Sequence, residues 1–519
     1  MRESASTLLF LLAAGLGCVS AGGEAKPAGA AVELTVQRRD ADGRAVREQV
    51  TLDPAKAAVV IIDMWDRHWC KTYTARVANL VPRMNQTLDA ARKLGIQVVH
   101  APSDVLGPYQ GSPQRKAMMA IPAQPEPKTV PFNPPGPPGG RDCCECGPDR
   151  PCKSGAVWTR QHPDLKIADG DLIADCNNGR ELLSLCQSRG ITTLVYMGVA
   201  SNMCVIGRSC GMFNMRRHGL QVLFVCDLVE AITANGCDPA TKQRDPNFTP
   251  ARGSSIVQRY LEQQVAPSIE SRQLIVAAGL DPHAQDKRPH VVFVVSEPEY
   301  DSKTTLPAFA EEHLAKGFRC TFVHANPNDG NDLPGLAALY DADLLVLSVR
   351  RRALPVVQMD HLERYIRAGK PLVALRVSCV PFAAGKAPSG HVVWERFDRE
   401  VLGCNYQGYD AESRRTGCDV WVAPEAADHP ILRVSPSPKF HSRSWLYKMR
   451  PLAEAAKPLM MGRWRDDKTA EPVAWTHVYN GGRVFYTSLG HPEDFAVPAF
   501  SQLLKNAIHW ALGMAIPGS

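Results

Sequence analysis

Two kinds of apolar pattern alternate along the chain, and the alternation predicts the architecture. Residues 58–62 (Ala-Val-Val-Ile-Ile) form an unbroken, β-branched run that stops at Asp63, the pattern of a strand buried on both faces of a parallel sheet. Residues 74–94 then place apolar side chains at helical spacing, and 97–100 return to strand character. Further on, 180–189 predicts a helix, 192–197 a strand, 203–218 a helix and 221–226 a strand. Such alternation requires crossover connections, hence a parallel sheet with helices on its faces. The pattern begins near Val32 and pauses over 279–289, where Asp-Pro, charges and a further proline mark a linker. It resumes with His-Val-Val-Phe-Val-Val at 290–295, continues through strands at 320–324, 342–348 and 371–375, and closes with a strand at 484–488 and a helix at 499–512. The predicted fold class is α/β, as two three-layer α/β/α domains (32–278 and 290–515), each around a mainly parallel sheet. Residues 107–153 follow neither period and, rich in Pro, Gly and Cys, read as an insertion in the first domain.

The first residues change the picture. Arg2, an apolar stretch over 7–17 and the small residues of Val19-Ser20-Ala21 make 1–21 a secretory signal whose apolar part is too short to span a bilayer. A lipoprotein anchored through Cys18 is the alternative, against which stands Gly15, where such a motif wants Leu. The expected location is therefore periplasmic or extracellular. No later apolar run approaches the length of a membrane span. The net charge of +6 is dispersed, with Arg350-Arg351-Arg352 the sharpest cluster, so a nucleic-acid partner is not expected. Export also governs how the 16 cysteines are read. Cys143, Cys144, Cys146 and Cys152 crowd the insertion, and either a zinc knot or disulfides would account for them. An oxidising compartment favours disulfides.

The chemistry centres on Gly198-Val199-Ala200-Ser201-Asn202-Met203-Cys204-Val205, where a strand ends, the chain turns, and a helix starts near Cys204. A thiol at a helix N-terminus meets unpaired N–H groups and the positive end of the dipole, which favour thiolate, and the same groups can receive an oxyanion. A buried structural cysteine is the competing reading. The stretch from Arg189-Gly190-Ile191 through this turn resembles the isochorismatase-like cysteine hydrolases, which include the nicotinamidases, over about residues 50–275. The resemblance implies a nucleophile at Cys204, turn and oxyanion residues at Val199, Ala200 and Met203, a cis peptide at Val199–Ala200, and a general base at Asp63. Asp63 would take the thiol proton.

The same resemblance exposes a gap. The family's catalytic Lys should follow the strand after Asp169-Gly170, but Asp175 or Cys176 stands there. Arg160 and Lys166 are the cations nearby in sequence, each also readable as a surface charge; either could stabilise the thiolate or the oxyanion, although an Arg cannot shuttle protons. Trp65, His68, Trp69, His100 and Asp175 are candidate pocket residues. Zinc is the one cofactor the resemblance brings in, with His100 and Asp104 as its candidate ligands and Asp66, His68 and His162 in the same region. A cleft mouth lined by polar residues is the alternative to a metal there. Oligomers are common in that family, so a homo-oligomer is an expectation.

Residues 290–515 resemble the ThuA-like (trehalose-utilisation) domains, relatives of the class I glutamine amidotransferases, through 343–348, 368–373 and 481–491. Cys379 occupies the amidotransferase nucleophile's place without the glycines that a sharp elbow needs, so glutamine hydrolysis is not expected. Arg376 and His491 are the candidate ligand-facing residues, toward a carbohydrate-like ligand. The functional expectation is a hydrolase that cleaves a C–N bond of a small molecule through Cys204 and Asp63. Its rival is a binding protein built on a hydrolase scaffold that lost its Lys.

Overall fold

The computed structural model describes residues 29–139, 144–147, 152–245, 248–281, 283, 286–433, 439–465 and 469–516. The signal segment 1–21, with Cys18, and Cys143 lie outside them.

The first sheet contains β1 (Val32–Arg39), β2 (Ala45–Leu52), β3 (Ala57–Ile62), β4 (Gln97–Ala101), β5 (Leu172–Ile173), β6 (Thr193–Val199), β7 (Gln221–Glu230) and β8 (Ser268–Ile269). Their spatial order is β2-β1-β8-β7-β6-β3-β4-β5, and β1 runs antiparallel to both neighbours while the other pairs are parallel. The helices are α1 (Lys71–Leu94), α2 (Pro113–Met119), α3 (Gly179–Arg189), α4 (Cys204–Gly207), α5 (Met212–Arg217), α6 (Pro250–Gln264) and α7 (Ser271–Ala277).

All six residues of β3 are buried because both faces are covered. Val59 and Ile61 pack with Leu80, Met84 and Leu88 of α1 and with Leu274 of α7. Val60 and Ile62 pack on the other face with Leu182 of α3 and Val257 and Leu261 of α6. The two-residue period of the strand thus produces the three layers. One predicted element divides. The helix expected over 203–218 is two short ones, broken at 208–211, where Cys210 is tied by a disulfide to Cys176.

The second sheet follows with β9 (His290–Ser296), β10 (Arg319–His324), β11 (Leu344–Val349), β13 (Leu372–Leu375), β15 (Cys418–Val422), β16 (Phe440–Ser442), β17 (Lys457–Arg463), β18 (Glu471–Tyr479) and β19 (Gly482–Thr487); β12 (Leu354–Pro355) and β14 (His391–Val392) form a separate small ladder. Its order is β10-β9-β11-β13-β19-β18-β17-β15-β16, parallel as far as β19 and antiparallel beyond. The antiparallel strands within 418–479 form an extension that the sequence pattern did not reveal. Helices α8 (Ser302–His313), α9 (Val356–Arg367), α10 (Ser413–Thr416) and α11 (Pro498–Ala511) complete the domain.

The domains meet through charge. Arg83 reaches Asp341 at 2.7 Å, Arg272 reaches Asp343 at 2.9 Å, and the Thr249 hydroxyl donates to Glu363 at 2.6 Å. Deepest is Arg76 on α1, fully buried, which binds Glu145 of the insertion at 2.8 Å, Glu230 at the end of β7, and Asp360 on α9 at 3.4 Å. No helix among the described residues is long and apolar enough to cross a membrane.

Candidate active site

Three adjacent parallel strands deliver the site. Asp63 follows β3, wholly buried, with a left-handed backbone (φ 47°) that turns its carboxylate off the sheet edge. Ser103, just past β4, donates both its amide and its hydroxyl to Asp63, each at 2.6 Å. On the other side, β6 closes against β3 at Gly198 (φ 108°), where an added Cβ would lie 2.0 Å from the Ile62 carbonyl oxygen. Only glycine permits that approach. The Val199–Ala200 peptide is cis, as the family resemblance implies.

The chain then turns. The amides of Met203 and Val205 both donate to the Ala200 carbonyl, at 3.0 and 3.2 Å, and Asn202 is clamped to Ile232 in both directions, at 3.0 and 3.1 Å. This geometry sets Cys204 as the first residue of α4, where an amide has no upstream carbonyl within the helix. Cys204 lines a cleft of about 690 Å³ with Pro137, Gly139, Asn202, Met203, Ile206 and Phe213, so the insertion supplies one wall.

Cys204 and Asp63 lie close enough to shift each other's titration. Burial lifts the Asp63 carboxyl to about 6, against the pull of the Ser103 hydrogen bonds, Cys204 and Arg208. Burial, reinforced by the Asp63 charge, pushes the Cys204 thiol up to about 12. At neutral pH the resting site is therefore a carboxylate beside a thiol.

The cation is one the sequence reading overlooked. Arg208 Nε lies 3.8 Å from Asp63 Oδ2, and its guanidinium is near enough to Cys204 to favour the thiolate. It is braced from outside: Nη1 donates to Asn177 at 2.8 Å, Nη2 meets Asp104 at 3.2 Å, and Asn177 in turn donates to Asp104 at 3.0 Å. The Cys176–Cys210 disulfide, with Cα atoms 5.2 Å apart, joins the two segments that make this brace. The residue near the expected Lys position thus acts at one remove, tethering the loop that carries Arg208.

Arg160 and Lys166 stand elsewhere. Arg160 is exposed and serves through its backbone, accepting from the Asp66 amide at 3.0 Å; Lys166 is exposed and pairs with Asp89 at 3.6 Å. Asp175 closes a turn by accepting from the Asn177 amide. His100 is buried between Asp171 (3.2 Å) and Gln161 (3.4 Å). Burial acts to raise Asp171, but hydrogen bonds from His100 and Arg92 hold its carboxyl at about 2. With His100 facing Asp171, Asp104 on Arg208, and Asp66 capped by Thr159 at 2.6 Å, the metal set implied by the nicotinamidase resemblance does not assemble. Trp65 and His68 are not among the residues lining the Cys204 cleft and belong to an aromatic group of their own. Trp65 stacks on Trp158 at 4.4 Å, and His68 lies parallel to Trp158 at 6.0 Å and tilted to Trp69 at 4.8 Å. Burial lowers His68 to about 4, so it is neutral in the physiological range.

In the second domain Arg376 follows β13 in a left-handed conformation (φ 52°), its buried guanidinium 4.0 Å from the Tyr300 ring and 5.4 Å from Tyr447. His491 is half-buried and edge-on to the same Tyr300 at 6.3 Å. Burial, then the Arg376 charge, lowers its pKa. Cys379 is buried in a short 3₁₀ turn with its thiol toward the Val377 carbonyl, and burial pushes it up to about 12.

The isochorismatase domain family matches residues 57–254 and the trehalose-utilisation (ThuA) family matches 290–511. A ThuA-like protein from Parabacteroides merdae is 17% identical over 45% of this chain and 93% of its own, with a TM-score of 0.36. A cysteine hydrolase from Pseudomonas syringae pv. phaseolicola is 14% identical over 44% of this chain and 94% of its own, with a TM-score of 0.28. For an isochorismatase family protein from Burkholderia thailandensis the values are 16%, 44%, 97% and 0.26. No curated protein matches. The chain thus joins an isochorismatase-like domain to a ThuA-like domain.

Proposed function

We propose that the first domain hydrolyses a C–N bond in a small amide-type compound through a covalent thioester at Cys204. The observation that carries this reading is that Cys204 and Arg208 share the wall of one cleft, with Asp63 buried behind them. Asp63 accepts the thiol proton as sulfur attacks the carbonyl carbon. The amides of Met203 and Val205 are taken by the Ala200 carbonyl, so the oxyanion forms beside the Cys204 amide and Arg208, whose fixed charge offsets it without exchanging protons. Collapse breaks the C–N bond, and Asp63 returns its proton to the leaving nitrogen. Asp63 then deprotonates a water that attacks the thioester, which releases the carboxylic acid and restores the thiol.

A base near 6 is ionised at neutral pH yet close enough to share its proton, which suits both halves of the cycle. The binding-protein rival rested on the absent Lys, and Arg208 weighs against it. The Cys176–Cys210 disulfide supports export to an oxidising compartment. The match to the trehalose-utilisation family supports a carbohydrate-like ligand for the second domain, testable by calorimetric titration of simple sugars and sugar acids into wild type and His491→Ala. Equal heats in the two proteins would end that part of the reading.

The decisive experiment is the pH dependence of Cys204 alkylation, read by peptide mass spectrometry in wild type and Asp63→Asn. Reactivity should rise with an apparent pKa near 6 in wild type, and this limb should vanish in the variant. An inert Cys204, or one titrating like a free thiol in both proteins, would leave the scaffold without a live nucleophile.

A further inference from the structure

Cys70 is the residue that precedes α1, and it is fully buried. Facing it, the insertion brings in Cys144, Cys146 and Cys152. The Cys70 and Cys146 sulfurs are 3.8 Å apart, and those of Cys70, Cys144 and Cys146 all lie within 4.8 Å of one another. Cys152 stands at the edge of this trio, its sulfur 3.5 Å from that of Cys146 but not within 4.8 Å of all three. Four sulfurs about 2.3 Å from a shared tetrahedral centre would be about 3.8 Å apart. A disulfide would require them at about 2.05 Å.

Hydrogen-bond donors converge on these sulfurs. The first-turn amides of α1 point at them, Lys71 to Cys152, Thr72 to Cys146 and Tyr73 to Cys70. The Glu145 amide donates to Cys70 Sγ at 3.2 Å, the Cys152 amide donates to Cys144 Sγ at 3.3 Å, and the Thr72 hydroxyl lies 3.3 Å from Cys146 Sγ. A 24-residue helix directing its positive end and three N–H groups at a group of sulfurs stabilises negative charge there. Such N–H to sulfur bonds orient and tune metal-bound thiolates.

We propose that Cys70, Cys144, Cys146 and Cys152 hold a tetrahedral, thiolate-bound zinc ion that pins the insertion to the start of α1. Each thiol releases its proton as its sulfur bonds to the metal. All four positions are then taken by protein, so the ion is structural and leaves none for water or substrate. Its reach goes beyond the knot. Glu145, between two of the ligands, accepts from Arg76 at 2.8 Å and from the Thr233 amide at 3.1 Å, so the metal sets one side of the buried charge cluster between the domains. The same anchored segment continues to the cleft wall at Pro137 and Gly139. The site is separate from the Cys204 chemistry and stands whether or not Cys204 is catalytic.

The test uses the full chain, purified without chelator. Elemental analysis should give about one zinc ion per chain, and alkylation after denaturation without reductant should find all four thiols free. Exchange with cobalt(II) alone should produce thiolate charge-transfer bands and strong tetrahedral absorption. The bands should disappear in Cys146→Ser and persist in Cys186→Ser, which alters a buried cysteine on α3. If Cys146→Ser does not fold, the wild-type measurements decide alone. Metal-free protein grown with ample zinc, or disulfides among the four cysteines, would overturn the proposal.

Discussion

Asparagine at position 63 keeps the shape of the side chain and removes its titration. In the native protein the Asp63 carboxyl titrates near 6, whereas a solvated aspartate does so near 3.8. At pH values below both, the carboxyl is protonated folded or unfolded and carries no electrostatic penalty. As pH rises, the unfolded chain ionises first, and native stability falls until pH passes about 6, where the folded form ionises too. At 1.36 kcal/mol per pKa unit the total loss is about 3 kcal/mol. Asp63→Asn does not undergo this loss. Relative to wild type it should therefore gain about 3 kcal/mol as pH goes from 3.5 to 7.5, whatever constant cost the amide incurs against Ser103. Other titrating groups, including the cysteine cluster, cancel in the difference. Hydrogen exchange of peptides from β3 and β6, corrected for intrinsic rates, reads opening of the first sheet without reporting on the second. Parallel pH profiles for the two proteins would refute the reasoning. A variant that loses ground as pH rises would show that the carboxyl is stabilised by its neighbours, the opposite of what its burial implies.

Other perturbations have equally definite outcomes. Arg76→Met leaves Glu145 without its cation, and Glu230 and Asp360 with Arg364 alone. It should cost about 3–5 kcal/mol, seen by calorimetry as lower unfolding temperatures for both domains; an unchanged second-domain transition would contradict the coupling. Cys176→Ser with Cys210→Ser opens a loop of 34 residues and should destabilise the first domain by roughly 4 kcal/mol in urea unfolding. Arg208→Met should slow Cys204 alkylation at pH 8 by about ten- to hundred-fold, with Arg208→Lys recovering part of the rate; equal rates in all three would remove Arg208 from the site.

How much of this was legible in the sequence depended on how local the signal was. The run 58–62 ending at Asp63, and the turn 198–204, are short contiguous patterns, and their pairing follows from strand β3 lying beside β6. Arg208 was hidden because 203–218 reads as one uninterrupted helix, in which Arg208 is one more exposed charge. A pointer was present all the same, since position 208 is four residues beyond Cys204, one helical turn on the same face. What the pattern could not contain is the break at 208–211, which belongs to the Cys176–Cys210 disulfide, a contact between distant segments. Cys70 escaped for the same reason. It is 74 residues from Cys144, and only the folded insertion brings the two together. The strands of the antiparallel extension carry no run as purely apolar as 290–295; β15, for one, alternates between buried and open positions.

The buried Arg76 cluster bears on what kind of unit this polypeptide is. A fusion of two autonomous modules can be cut at its linker, with each half keeping its own surface. Here the first half presents a guanidinium whose counter-charge is partly lodged in the second, at Asp360, and the second presents Glu363, which accepts from Thr249 of the first as well as from its own Arg367. Severing the chain at 279–289 would leave these groups facing water. The two halves have thus lost the interchangeability of cassettes, and each has become part of the other's interior.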